Sequence, residues 1–242
     1  MSTDITQLSI NGLDVDVVRK SIKNLHLGVY PPAGRVRVAA PSSMTDDAVR
    51  LAVIDKLAWI KKQQARFESQ PRQSEREVIT GETHFFFGRR YRLRVVEHDQ
   101  PGQVRVASTS TIELSVRPSS TTEQRERVLQ QWLRDELKKQ IPALIEKWQK
   151  VVGVEAADWG VKRMKTKWGS CNIEARRIWI NLELSKKPLE CLEYIIVHEL
   201  AHLLERNHND HFIAIMDRCM PKWRSVRDLL NSAPLAHETW GY

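Results

Sequence analysis

Three of the chain's eight histidines fall in the twelve residues Val197–His208, "VHELAHLLERNH", together with a glutamate in an otherwise apolar pattern. His198 and His202 are four residues apart, so on a helix they project from one face, a turn from each other. Two imidazoles at that spacing can bind one metal ion. Glu199 lies at the edge of that face, where it can reach a metal-bound water without being a ligand. This is the HExxH arrangement, in which two histidines hold zinc and the glutamate is the general base. A catalytic zinc needs a third protein ligand and an open position. His208 is the first candidate, because it follows Asn207, and asparagine tolerates the left-handed conformation that ends many helices. His211 is the reserve; His237 and Glu238 are remoter choices. The pattern is short and also arises in helices that hold no metal. Here "YIIV" before it and "LL" within it predict a buried helix, and buried imidazoles and carboxylates need partners that a metal supplies.

The elements that must position these groups follow from the pattern. Pro188 suits a first helical position and Glu190 a first turn, which predicts a helix from Pro188 to about Arg206. A second runs from about Asp210 to Asn231. A long helix over 121–152 carries Val128, Leu129, Trp132, Leu133 and Leu137 on its apolar side, with a kink expected at Pro142. Between these helices lie short extended pieces, "WGVKRMKTKWGSCN" and "RRIWINLEL". The first third reads as strands: Asn11-Gly12 is a two-residue hairpin signal, and "GRVRVAAP" alternates. Thr45 is a candidate N-cap for a helix to about residue 68. Residues 69–83 read as a loop, after which "HFFFGRRYRLRVVEH", "GQVRVAS" and "TIELSVR" resume the strands. Arg90, Arg92 and Arg94 share one face there, which reads as a solvated sheet face rather than a phosphate surface. No internal repeat is evident. The expected class is α+β, with a β-rich region over 1–117 that includes one helix, and a domain over 118–242 that carries the histidines.

Composition limits the function. No apolar run reaches the length of a membrane span, and "MSTDITQLSI" lacks the charge-then-apolar pattern of a signal peptide. Three well-separated cysteines, Cys171, Cys191 and Cys219, do not make a disulfide framework, so a cytoplasmic setting is expected. The net charge of +8 favours anionic partners without specifying one. Weak, non-specific nucleic-acid binding is one such expectation.

The sequence also resembles a known family, the YgjP-like (DUF45) metallopeptidase-like proteins, related in motif to the SprT-type zinc peptidases. The resemblance is carried by "VHELAHLLERNHNDHF", by "KWGSCN" (Lys167–Asn172), and by "WINLEL" leading into "PLECLEYIIVHEL". "FFFGRRYRLRV" and "MPKWRSVRDLL" add to it, so that it spans most of 80–231. It implies a zincin-like domain with a small sheet, His198, His202 and His208 as ligands of one zinc ion, and Glu199 as catalytic base. The spacing to His208 is also that of metzincins, but Glu205 stands where their glycine would be. "WGSC" reads as a turn bordering the active site in preference to a site for Cys171 as nucleophile.

These readings converge on a zinc-dependent hydrolase, most simply a metallopeptidase acting on peptides or proteins, with "RRIWINL" as a strand that could pair with an extended substrate. One alternative is a nucleotide substrate: family members are also described as UTP pyrophosphatases, and Lys162, Arg163, Lys165 and Lys167 would suit a triphosphate. Another is an accessory nucleic-acid- or protein-binding role with a structural metal.

Overall fold

Two hairpin turns with the same backbone set the architecture. Asn11 and Gly12 have φ of 50° and 76°, and Phe87 and Gly88 have φ of 42° and 78°. Two successive positive-φ residues twist a two-residue loop to match the strands it joins. The computed structural model describes residues 5–30, 34–69, 77–164 and 167–232. His237, Glu238, Lys165 and much of the 69–83 loop expectation lie outside them. The described residues divide into two compact units, one within Met1–Ser74 and one within Glu75–Ala233.

In the first unit, β1 (Ile5–Ile10) and β2 (Leu13–Lys20) form an antiparallel hairpin. β4 (Arg35–Pro41) runs parallel to β2, and β3 (His26–Tyr30) pairs antiparallel with β4, giving the order β1-β2-β4-β3. Thr45 caps α1 (Asp46–Asp55) by accepting from the Ala48 amide. The single helix expected to about 68 is interrupted at Lys56, and α2 (Leu57–Ser69) follows. Val49, Val53 and Ile60 pack with the inward strand residues Val15, Val17, Val36 and Val38.

The second unit begins with the same plan. β5 (Thr83–Phe86) and β6 (Arg89–Glu97) form the hairpin, β8 (Thr111–Val116) is parallel to β6, and β7 (Gln103–Ser108) lies outside β8. The order is β5-β6-β8-β7. Strand starts recur 76–78 residues apart: Ile5 and Thr83, Leu13 and Arg89, His26 and Gln103, Arg35 and Thr111. A Thr-capped helix follows each sheet, and Pro41-Ser42-Ser43 recurs as Pro118-Ser119-Ser120. This corrects the reading of no internal repeat. Each copy needs only the pattern of inward apolar residues and turn backbones, so little side-chain identity is shared. The arginine stripe of β6 is exposed as expected, and Arg94 is paired with the buried Glu113, which Arg105 also contacts at 2.7 Å.

The capping box of Thr121 and Gln124 starts α3 (Thr122–Val152), which runs through Pro142. Leu129, Leu133, Leu137, Ile141 and Ile145 recur every four residues and are buried against both β6–β8 and the helix bearing the histidines. Burying each such side chain stabilises by about 1.5–3 kcal/mol. That shared core places β5–β8 in the second unit, so the division falls at 74/75, whereas the sequence reading set it at 117/118. A three-stranded sheet, β10-β11-β9, comes next, from β9 (Asp158–Lys162), β10 (Gly169–Asn172) and β11 (Arg177–Asn181). A 3₁₀ turn (Leu182–Lys186) leads into α4 (Leu189–Ala201), α5 (Asp210–Cys219) and α6 (Trp223–Ser232). The last two were expected as one helix; the chain breaks at Met220-Pro221, since proline has no N–H to give and restricts the residue before it. No helix among the described residues is long and apolar enough to cross a membrane.

Candidate metal centre

α4 is buried on nearly all sides, with Leu192, Ile196, Val197 and Leu200 fully enclosed, so its few polar groups are held in fixed places. His198 and Glu199 lie in its last turn, and His202 is its C-cap, still in helical conformation. The helix therefore ends earlier than the expected Arg206. Amides of Leu203 and Leu204 return to the carbonyls of Leu200 and Ala201, and the Asn207 amide donates to the Glu205 side chain at 3.0 Å. Asn207 is not among the positive-φ residues, so these tight turns, rather than a left-handed Asn207, reverse the chain.

The reversal brings His208 to the pair. One nitrogen from each of His198, His202 and His208 lies within 4.8 Å of the others, and Nε2 of His198 and Nε2 of His208 are 3.0 Å apart. His211 is not gathered: it is exposed on α5, with its Nδ1 3.4 Å from Glu205. The donor set suits a metal. Burial, aided by His202 and His208, pushes His198 down to about 3, and burial also lowers His202, so both are neutral imidazoles with a lone pair to offer. The His202 Nδ1 sits 3.0 Å from the Glu205 carbonyl, the kind of contact that fixes the tautomer and ring of a metal-binding histidine. Nδ1 of His198, the ring nitrogen turned away from His208, is buried without a hydrogen-bond partner among the described residues. Imidazole ligands of this kind suit a transition-metal ion such as zinc, copper, iron or nickel.

Glu199 is 4% exposed, and burial pushes its carboxyl up to about 8 against the opposing Lys167 ammonium. Gly169 of β10 is what admits it: a Cβ at Gly169 would lie 2.5 Å from the Glu199 Oε1 and 2.8 Å from its Cγ and Cδ. The expected turn at "WGSC" is a strand, since Gly169–Asn172 pairs antiparallel with Ile180–Arg177 of β11. Burial and the nearby Glu199 push the Cys171 thiol up to about 11, which removes it as a nucleophile near neutrality.

Several supporting residues were not singled out from sequence. Phe212 of α5, 3% exposed, sets its ring 4.8–5.0 Å from all three imidazoles, and the Asn209 side chain caps that helix by accepting from the Phe212 amide. Asn181 is buried at the end of β11. Its side chain accepts from the Met164 and Glu183 amides at 3.2 Å and donates to the carbonyls of Met164 and Lys167 at 2.8 and 2.7 Å. Tyr194, one turn before His198, stacks on Trp223 with 9° between the rings. Phe212 stood in the quoted "NHNDHF" and Asn181 in "WINLEL", so the signal was present without a role attached. The histidines and Glu199 open onto a pocket of about 500 Å³, bordered by Trp168, Ser170, Cys171 and Tyr194.

Three imidazoles, an adjoining buried carboxylate and an open pocket define the kind of site a metallohydrolase uses. The chain matches the YgjP-like metallopeptidase domain over residues 23–233 and belongs to that family, which implies a metal ion. No curated protein matches it. Among solved structures it is similar to the crystal structure of the metallopeptidase zymogen of Pyrococcus abyssi abylysin. That likeness has 19% identity and a TM-score of 0.34, and covers 36% of this chain and 89% of that one.

Proposed function

We propose that the protein is a zinc-dependent metallopeptidase in which His198, His202 and His208 hold one ion and Glu199 is the general base. The observation that carries this reading is the convergence of three imidazoles on one point beside a buried carboxylate, bordering an open pocket. A structural metal is closed off by its ligands; three ligands facing a pocket leave room for substrate. When bound, such an ion acts as a Lewis acid toward water and the scissile carbonyl. Glu199 accepts the proton of the attacking water and delivers it to the leaving amine. Gly169 and the surrounding burial hold that carboxylate in place, while Phe212 holds the imidazoles.

The strand available to an extended peptide differs from the one expected. "RRIWINL" is the central strand β11, with both edges already paired to β9 and β10. β10 and β9 are the two edge strands, and of these β10 borders the pocket through Gly169, Ser170 and Cys171. We therefore assign main-chain pairing of the substrate to the free edge of β10. For the nucleotide alternative, Lys162 lies over the Trp179 ring at 4.6 Å and, of the described members of the basic quartet, only Lys167 borders the pocket. The free state of Cys171, Cys191 and Cys219 supports a cytoplasmic setting.

The test is metal analysis of the purified protein, then turnover of a denatured-protein or peptide pool with and without a chelator. About one zinc per chain and chelator-sensitive cleavage are expected. A zinc-loaded protein that cleaves no peptide and releases pyrophosphate from UTP would replace this reading with the nucleotide one.

A further inference from the structure

The pocket's charge is one-sided. Among the described residues that border it, the cations are Lys167, Arg206 and Arg227, and the one carboxylate is Glu199. Like-signed groups around a concave, partly dry site focus their field into it. Arg227 is the best placed of the three. It projects from α6 over the face of Trp223, 5.2 Å from the ring centroid. That ring is fixed from two sides: it stacks on Tyr194, and its Nε1 donates to Asp217 at 2.7 Å, with Arg224 also on Asp217. Arg224 lies over the same ring, 4.5 Å from its centroid; a guanidinium drawn to an anchored indole by cation–π attraction still offers a carboxylate its N–H fork. Its ion pair is with the adjacent Asp228 at 3.0 Å, and both side chains are largely exposed, at 42% and 67%. Such a pair is worth little and does not prevent a second carboxylate from binding.

We propose that this wall selects a peptide carrying a carboxylate beside the scissile bond, with Arg227 as the specificity-determining residue and Lys167 and Arg206 adding to the field. The carboxylate is either an acidic side chain or the free C-terminus of a short substrate. The inference rests on the peptidase reading for cleavage, but the cations belong to the protein itself, so binding selectivity does not require the ion.

The experiment uses the full chain and quenched fluorescent peptides that differ only in Glu, Gln or Lys flanking the cleaved bond, each with a free or an amidated C-terminus. Binding to chelator-stripped protein is read by fluorescence anisotropy, and cleavage by zinc-loaded protein is read as kcat and KM. The Glu peptides are expected to bind and to be cleaved about tenfold better than the Lys peptides, with the advantage shrinking at high salt. Loss of preference on amidation alone assigns the carboxylate to the C-terminus; a preference that survives amidation assigns it to the side chain. Arg227→Gln should lose most of the preference through KM, Arg227→Lys should retain much of it, and Arg218→Gln, outside the pocket, should retain all of it. Equal binding of Glu and Lys peptides to the stripped protein overturns the inference, as does a preference undiminished in Arg227→Gln. Cleavage without charge preference removes the wall and leaves the peptidase. Selective binding of acidic peptides without any cleavage leaves the wall and removes the peptidase.

Discussion

Gly169→Ala isolates the positioning of the proposed base from everything else in the site. The backbone at Gly169 is that of a paired strand, with no positive φ, so alanine adopts it without strain. Its methyl group, however, would be placed 2.5 Å from the Glu199 Oε1 and 2.8 Å from its Cγ and Cδ. Ordinary contact between such atoms begins near 3.4 Å, so the carboxylate or the strand must yield by about 1 Å. Glu199 is 4% exposed, with apolar neighbours on α4, so any retreat of its carboxylate is toward the pocket and away from its buried position. Over-packing of this kind costs about 1–3 kcal/mol of stability, which thermal unfolding would register. A 1 Å misplacement of a reacting group costs on the order of 10² in rate, with the full removal of a general base at about 10²–10⁴ as the ceiling. The three histidines are untouched, so zinc content should equal that of the wild type. The assay is zinc per chain, unfolding temperature, and kcat and KM on one peptide. The expected pattern is full zinc, a modest loss of stability, and kcat down about 100-fold with KM little changed. Wild-type kcat in a folded, zinc-loaded Gly169→Ala protein would refute the assignment of Glu199 as a tightly positioned base.

The remaining predictions concern the ligands, the base and a buried lysine. Glu199→Gln should keep its zinc and lose about 10²–10⁴ in turnover; loss of zinc would make Glu199 a ligand instead. His208→Ala should lower zinc content sharply in elemental analysis while His211→Ala leaves it intact, since only His208 joins the cluster; the opposite result would exchange the two roles. Lys187 is 6% exposed, and burial, opposed by Glu183, pushes its ammonium down to about 8 from 10.5. Between those values the unfolded chain holds a proton that the folded one has lost, so this residue's contribution to stability rises as pH climbs from 8 toward 10.5. Wild type minus Lys187→Met, followed by denaturant unfolding across that range, should show an upward slope totalling at most about 3 kcal/mol. A flat difference would show that the lysine is not desolvated.

How much was legible in advance depended on whether a residue's job is local. Helix caps, hairpin turns and inward-facing strand residues act on their immediate neighbours, and Thr45, Thr121 and Asn11-Gly12 do what their types suggest. The HExxH spacing is equally local, and the face shared by His198 and His202 follows from helical geometry alone. What the pattern could not give was which segment lies beside which. "RRIWINL" and "GSCN" are both short and extended, and only the sheet order β10-β11-β9 distinguishes the central strand from the edge. In the same way, the strands of residues 83–116 read as a continuation of the N-terminal β region. Their packing against α3 assigns them to the second unit, and their topology marks them as the second copy of a plan already used.

The fixation of Glu199 shows how far such non-local dependence runs. Its carboxylate is placed by a missing side chain at Gly169, thirty residues earlier, in a strand that is only four residues long. So short an edge strand is not stable by itself. It is held from β11, where Asn181 closes the register: its amide donates to the Trp168 carbonyl at 2.9 Å, and its side chain donates to the Lys167 carbonyl at 2.7 Å. The same side chain accepts from the Glu183 amide at 3.2 Å, capping the 3₁₀ turn that leads into α4. One buried amide thus joins the strand that presses on Glu199 to the turn that delivers the helix bearing it. Aspartate could accept in its place but could not donate to Met164 and Lys167, and alanine could do neither. The Asn181 of "WINLEL" and the Gly169 of "KWGSCN" are therefore tied to the histidine motif by a chain of contacts, although no single local pattern in the sequence connects the three.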